Sequence, residues 1–229
     1  MIVATMPLED MIAEARKDYP AIRNKLINVQ REARRDMIRT KQARLHMIGW
    51  TSQRKNDWLL LLVQRKKGTS VHTLTWFHDL DGGINALVLA DRGMVYRIDR
   101  HVIERYRQRF NPATSDLERL RDFFTENYAY SCQPTGEAVN GRWSVQVGMN
   151  QGMCLGYWEE GTEVVHADTF INHGQMFAQQ LDDMDRMDME RWIRCLSPGQ
   201  RRWMVAEWKR QNPTHIGTPG MQWLESLAA

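Results

Sequence analysis

The sequence predicts an α+β fold, an antiparallel sheet core with helical segments before and after it. Three observations predict it. Residues 20–46 carry an apolar stripe of helical period, with Ile22, Leu26, Val29, Ala33 and Met37 spaced by three and four. Residues 58–98 and 138–171 instead break into short apolar or alternating runs divided by turn residues. From 173 onward the helical pattern returns. Helix and strand patterns in separate stretches point to α+β and away from a doubly wound parallel sheet. The expected organisation is a basic helical segment at 1–50, a core at 51–172, and a helical segment with a loop-like tail at 173–229.

Each element has a local cause. A short helix at 7–18 precedes the long one, Pro20 sits where a first turn tolerates it, and Gly49 is the expected stop. The run 58–66 is apolar and then basic, and Lys67-Gly68 turns the chain. Val71, Thr73, Thr75 and Phe77 alternate with His72, Leu74, Trp76 and His78. Asp81-Gly82-Gly83 and residues 91–93 are turns that bound strands at 84–89 and 94–98. Connections this short join antiparallel neighbours, so 58–98 reads as a meander. Asp99 caps a helix that Pro112 ends, and Ser115-Asp116-Leu117-Glu118 has the capping-box form that opens a second helix to about 128. Asn140-Gly141 predicts a hairpin between 138–139 and 143–147, and Gln151-Gly152 and Glu160-Gly161 punctuate strands at 153–158 and 163–170. Helices follow to about 184, to about 196, and from Ser197-Pro198 onward.

Hydrophobic residues make up 42% and charged residues 26% of the chain, so a packed core is expected and wholesale disorder is not. The longest apolar run, 58–63, is far too short to cross a bilayer. The N-terminal stretch lacks the basic lead-in and apolar core of a secretory signal. Cys132, Cys154 and Cys195 are odd in number and lack metal-ligand spacing, which suits reduced thiols in a cytoplasmic protein. No Walker loop, GxGxxG or GxSxG occurs, and His72 and His78, six residues apart, are about 20 Å from each other along a strand. No metal and no cofactor is expected.

The net charge of +3 conceals an asymmetry. Residues 15–67 hold 15 Lys or Arg against Asp18, Glu32, Asp36 and Asp57, whereas 159–190 hold nine acids against Arg186. Arg31, Arg34, Arg35, Arg39 and Lys41 are the candidate nucleic-acid contacts, positioning a backbone without a visible base code. The competing reading has these cations facing water or the acidic stretch.

Residues 94–110, MVYRIDRHVIERYRQRF, carry the candidate chemistry. His101, Arg105 and Arg109 recur at i, i+4 and i+8, on one helical face. Metal-free RNA cleavage needs a proton carrier beside groups that stabilise a phosphorane, and the planar fork of Arg suits phosphate oxygens. The competing reading pairs Glu104 with neighbouring arginines and packs Val102, Tyr106 and Phe110 inward. His166, with Asp168 on the same strand face, supplies a second acid–base candidate. The His-x-x-x-Arg-x-x-x-Arg helix resembles that of toxin-like and mobile-element proteins of the barnase–colicin–RelE superfold, over residues 94–171. That resemblance implies helices before a small antiparallel sheet and metal-independent RNA cleavage, with His101, Arg105 and Arg109 as the matching residues. In this chain four predicted strands precede the helix and a second helix follows it.

The expected function is that of a nucleic-acid-binding protein of bacterial or phage type, RNA favoured, with metal-independent ribonuclease activity at His101 as its sharper form. The alternative is a non-enzymatic protein that binds a partner or itself. Trp192, Trp203 and Trp208, with Ile193, Leu196, Met204 and Val205, give the C-terminal helices apolar faces for that role.

Overall fold

The computed structural model describes residues 1–66, 68–90, 93–110, 115–128, 130–135, 138–159, 161–194, 196–211, 213, 222, 225 and 226. They fall into two compact units, Met1–Gln175 and Met176–Ala229. The expected turns at 67 and 91–92, the Pro112 stop and most of the tail lie outside the described residues.

Helices α1 (Leu8–Arg16) and α2 (Tyr19–Thr40) open the first unit. Asp18 joins them. Its buried carboxylate accepts the Trp58 indole N–H at 2.9 Å and the Asn56 amide at 2.8 Å, which pins the start of α2 to the sheet. The helix expected over 20–46 stops at Thr40, where Lys41 takes a left-handed φ of 60° and closes the cap onto Met37. Gly49 is not its stop but lies inside a strand, β1 (Arg44–Thr51).

The meander continues through β2 (Asp57–Arg65), β3 (Gly68–His78), β4 (Ile84–Leu89) and β5 (Val95–Ile98). Leu59, Leu60, Leu61 and Leu62 are fully buried, because β2 is covered on both faces; each contributes roughly 1.5–3 kcal/mol. Helices α3 (Arg100–Phe110) and α4 (Asp116–Glu126) follow. Asp99 accepts the His101 N–H at 3.0 Å, and Ser115 accepts that of Glu118, so both expected caps form. Four strands complete the sheet: β6 (Ser131–Pro134), β7 (Arg142–Met149), β8 (Gly152–Glu159) and β9 (Val164–Asn172). Asn140 and Gly141 have φ of 53° and 75° and make the expected turn. The segment before that turn forms only a bridge from Val139 to Arg142; the partner of β7 is β6, which has no clear strand signature.

All nine strands form one sheet, in the order β1-β2-β3-β4-β5-β9-β8-β7-β6. Every pairing is antiparallel except β5 with β9, where the two meanders join. The sheet curls strongly. Tyr130, next to β6, has its ring 5.8 Å from that of His72 on β3. Six strand intervals separate β3 from β6, which would be about 29 Å in a flat sheet. The concave face holds the largest apolar cluster, into which α3 sends Val102, Ile103 and Tyr106 and α4 sends Leu120, Phe123 and Phe124. Helices α1 and α2 cover β1 to β5 on the convex face through Met11, Ile12, Ala15 and Ile22, against Trp58, Leu60, Leu87 and Val95.

In the second unit, two helices were expected between 173 and 196. A short 3-10 turn, His173–Gln175, closes the first unit, and a single helix α5 (Ala178–Arg194) follows. Its span contains no Gly or Pro to divide it. Ser197 then caps α6 (Pro198–Gln211) by accepting the Gln200 N–H, while Gln200 returns the contact.

Candidate functional sites on the two sheet faces

Helix α2 presents its cations to solvent. Arg23, Lys25, Arg31, Arg34, Arg35, Arg39 and Lys41 are all exposed. Arg39 pairs with Asp36 at 2.7 Å; among the described residues the other six have no carboxylate within ion-pair distance. The apolar stripe explains the geometry: Ile22, Val29 and Ala33 turn inward, so the residues around them face away from the sheet. One flank of the helix overhangs β3 and forms a groove. Its C-terminal part, about 660 Å³, is lined by Arg31, Arg34, Ile38 and Lys66 among others. Its N-terminal part, about 490 Å³, is lined by Tyr19, Arg23, Ile27, Gln30 and Thr73 among others. Arg31 and Arg34 therefore share the groove flank, and Arg35, Arg39 and Lys41 do not line it. Arg23 and Lys66 join the set. Lys66 could not be placed from the sequence, because it comes from β2's end across the groove.

On α3, His101 and Arg105 are exposed, and no ion-pair partner of Arg105 occurs among the described residues. Arg109 is different: its guanidinium donates to the Phe170 carbonyl and is held below the usual arginine range by burial and by neighbouring Arg105. It therefore ties α3 to β9. Glu104 pairs with Arg107 at 3.0 Å, Val102 and Tyr106 are buried, and Tyr106 donates to Gln151 at 2.8 Å. Phe110 is 42% exposed, yet its ring lies 5.1 Å from that of Tyr106. The helix thus packs as the competing reading expected and still leaves His101 and Arg105 open.

His166 is 5% exposed. Its ring stacks on Tyr157 at 4.3 Å and 11°, and Arg142 sits 4.9 Å over the same tyrosine. Strand register places Arg97 on one side and Tyr157 on the other. Burial, then Arg97, pushes the imidazole down to about 4, so it is neutral at neutral pH, and its buried Nε2 meets no hydrogen-bond partner among the described residues. Burial and Asp99 push the Asp168 carboxyl above its usual range. Arg97, Tyr157 and Arg142 were missed in the sequence; only the register of β7, β8, β9 and β5 assembles them.

These residues do not form one cleft. Val165 and Ala167 pack with α3 on the concave face, whereas Val164 packs with α1 and α2 on the convex face. His166 shares the parity of Val164. The structure therefore brings His101, Arg105 and Arg109 together, and separates them by the thickness of the sheet from His166 and from the α2 cations. Among the described residues no group of His, Cys, Asp and Glu could hold a metal ion, and no helix is long and apolar enough to cross a membrane. In the second unit Ile193 and Val205 are buried, Met204 and Trp208 pack against Val205, and Trp192 and Trp203 are 56% and 69% exposed. Comparison with known protein families, curated proteins and solved structures finds no match to this chain.

Proposed function

We propose that this protein binds single-stranded nucleic acid, RNA in preference, along the groove beside α2. One observation carries the reading: Arg23, Arg31, Arg34 and Lys66 line that groove without a carboxylate partner among the described residues. Cations left unpaired along a path about one helix long suit a backbone of regularly spaced phosphates. Tyr19, Ile27 and Ile38, at least 40% exposed, give bases apolar surface to lie on. Gln30 and Thr73 offer neutral groups that a ribose hydroxyl can use. The test is the salt dependence of binding to a fluorescent oligouridylate. Replacing Arg23, Arg31 and Arg34 together with Gln should weaken binding and reduce the log–log salt slope by about 2, since each single-strand phosphate contact contributes about 0.7. An unchanged slope rejects the proposal.

A second reading, RNA cleavage at α3, is favoured by the exposed pair His101 and Arg105, whose side chains have no carboxylate partner among the described residues, on a helix that Arg109 fixes in place. It predicts chelator-resistant cleavage leaving a 2′,3′-cyclic phosphate, slowed by about two to four orders of magnitude in His101→Ala. Cleavage that survives His101→Ala removes this reading and leaves the binding proposal intact.

A further inference from the structure

The N-terminal part of the α2 groove is a cavity of about 490 Å³ whose interior the phosphate contacts leave unused. Arg23, Leu26 and Gln30 line it from α2, spaced by three and four on one helical face. Val71, Thr73 and Leu89 line it from the sheet. Thr73 is the register partner of Leu89 in the β3–β4 ladder, and Val71 lies two residues along on the same strand face. A helix flank and a sheet face thus enclose apolar side chains with two neutral polar ones among them.

Thr73 is 7% exposed, and its hydroxyl has no hydrogen-bond partner among the described residues. The Gln30 amide has none either. Buried polar side chains of folded proteins are nearly always paired, so the Thr73 hydroxyl calls for a partner inside the cavity. A water would satisfy that hydroxyl, but a water takes about 30 Å³, and the space is many times larger. It lies within the range of about 300–1,000 Å³ over which small-molecule pockets fall.

The bases of a single strand are free to splay out and offer both faces and edges. Apolar side chains suit the faces. The amide of Gln sets a donor and an acceptor side by side, which matches the N6 donor and N7 acceptor of adenine. A hydroxyl takes either role. Both groups serve a base edge as readily as a ribose hydroxyl. A purine also covers more of the apolar wall than a pyrimidine does.

We infer that this cavity is an adenine pocket, with Leu26, Val71 and Leu89 against the base, Gln30 and Thr73 on its edges and Arg23 on the adjoining phosphate. Adenine on a strand and adenine in a free mononucleotide share this chemistry. Delivery by a strand rests on the reading of the groove proposed above; the fit of the base to the cavity does not.

The test compares oligoadenylate, oligouridylate of equal length and adenosine monophosphate, by fluorescence anisotropy and calorimetry on the full chain. Oligoadenylate should bind about tenfold tighter than oligouridylate, the discrimination expected of one bidentate amide–adenine pair. Gln30→Leu should abolish that preference. Thr73→Val, which keeps the shape and drops the hydroxyl, should reduce it several-fold. Both variants should leave the affinity for oligouridylate and its salt slope at parental values, which a general disturbance of the groove would not do. Oligoadenylate binding at least tenfold tighter than the mononucleotide assigns the base to a strand. Mononucleotide binding that depends on Gln30, with oligouridylate unbound, assigns it to a free nucleotide; the pocket then stands while the strand-binding reading falls. Equal affinity for the two strands overturns the pocket and leaves the strand-binding reading intact, as does an adenine preference that survives both variants. Absence of binding by all three probes overturns both.

Discussion

Lowering the pH from 7 to 5 should destabilise the native protein through His166. The ring is 5% exposed and its pKa is pushed down to about 4, whereas an unfolded histidine titrates near 6.5. Between those values the unfolded chain binds more protons than the native one, so stability rises with pH across the window and is lost as pH falls through it. Integrating the two titrations gives a loss of about 2 kcal/mol between pH 7 and pH 5. The groups facing the ring act as follows. Arg97 and Arg142 hold the imidazole neutral, and Glu159 and Asp99 oppose them. Glu159 is kept below the usual carboxylate range by Thr162 and Arg142, so it stays ionised throughout. Asp168 is raised by burial and by Asp99, and its contribution to the pH dependence has the opposite sign. Urea unfolding of the parent and of His166→Phe, which keeps a ring against Tyr157, isolates the effect. The parent should lose about 2 kcal/mol more than the variant over this range. Equal losses in the two proteins would refute the placement of a buried, neutral imidazole.

Two further outcomes follow from packing. Gly156→Ala places a Cβ 1.7 Å from the His166 carbonyl, where β8 and β9 meet beside a bulge, so thermal unfolding should show a loss of about 3 kcal/mol or more; a stability within 1 kcal/mol of the parent would mean the two strands are not so closely apposed. Asp18→Ala leaves the Trp58 indole and the Asn56 amide, both almost fully buried, without an acceptor, and should cost about 3 kcal/mol by denaturant titration, whereas a near-neutral result would place that carboxylate in solvent.

Much of the fold was legible because the signals were local. The capping box at Ser115, the cap at Asp99 and the turn at Asn140-Gly141 each encode their own geometry within four residues, and all three form. Strand β1 escaped because RLHMIGWT begins with a cation and follows a strongly helical stretch; only the ladder to β2 makes it a strand. The short β6 has no apolar alternation and exists by pairing with β7. The α3 triad was legible because helical period alone sets it. Its separation from His166 was not, since which face a strand turns toward a helix depends on the parallel β5–β9 junction, a contact between residues about 70 positions apart.

That junction accounts for more than the strand order. Pairing β9 beside β5 in parallel closes two meanders into one sheet, and it sets Arg97 against His166 and Tyr96 against Val165 on alternate faces. The same register then extends through β8 and β7, so Tyr157 falls beside His166 while Trp158 and Trp143 fall in the row of Tyr96. A shift of one residue at β9 would turn His166 toward α3 and α4 and Val165 away from them. The apolar side chains of Val102, Ile103 and Tyr106 oppose that exchange, since they need Val165 and Ala167 and not His166 beneath them. The Arg109 contact to Phe170 works in the same direction, because a slipped β9 would carry its carbonyl away from the guanidinium. The helix that offers His101 and Arg105 to solvent is thus also the clamp that assigns the polar and aromatic rows to their opposite faces.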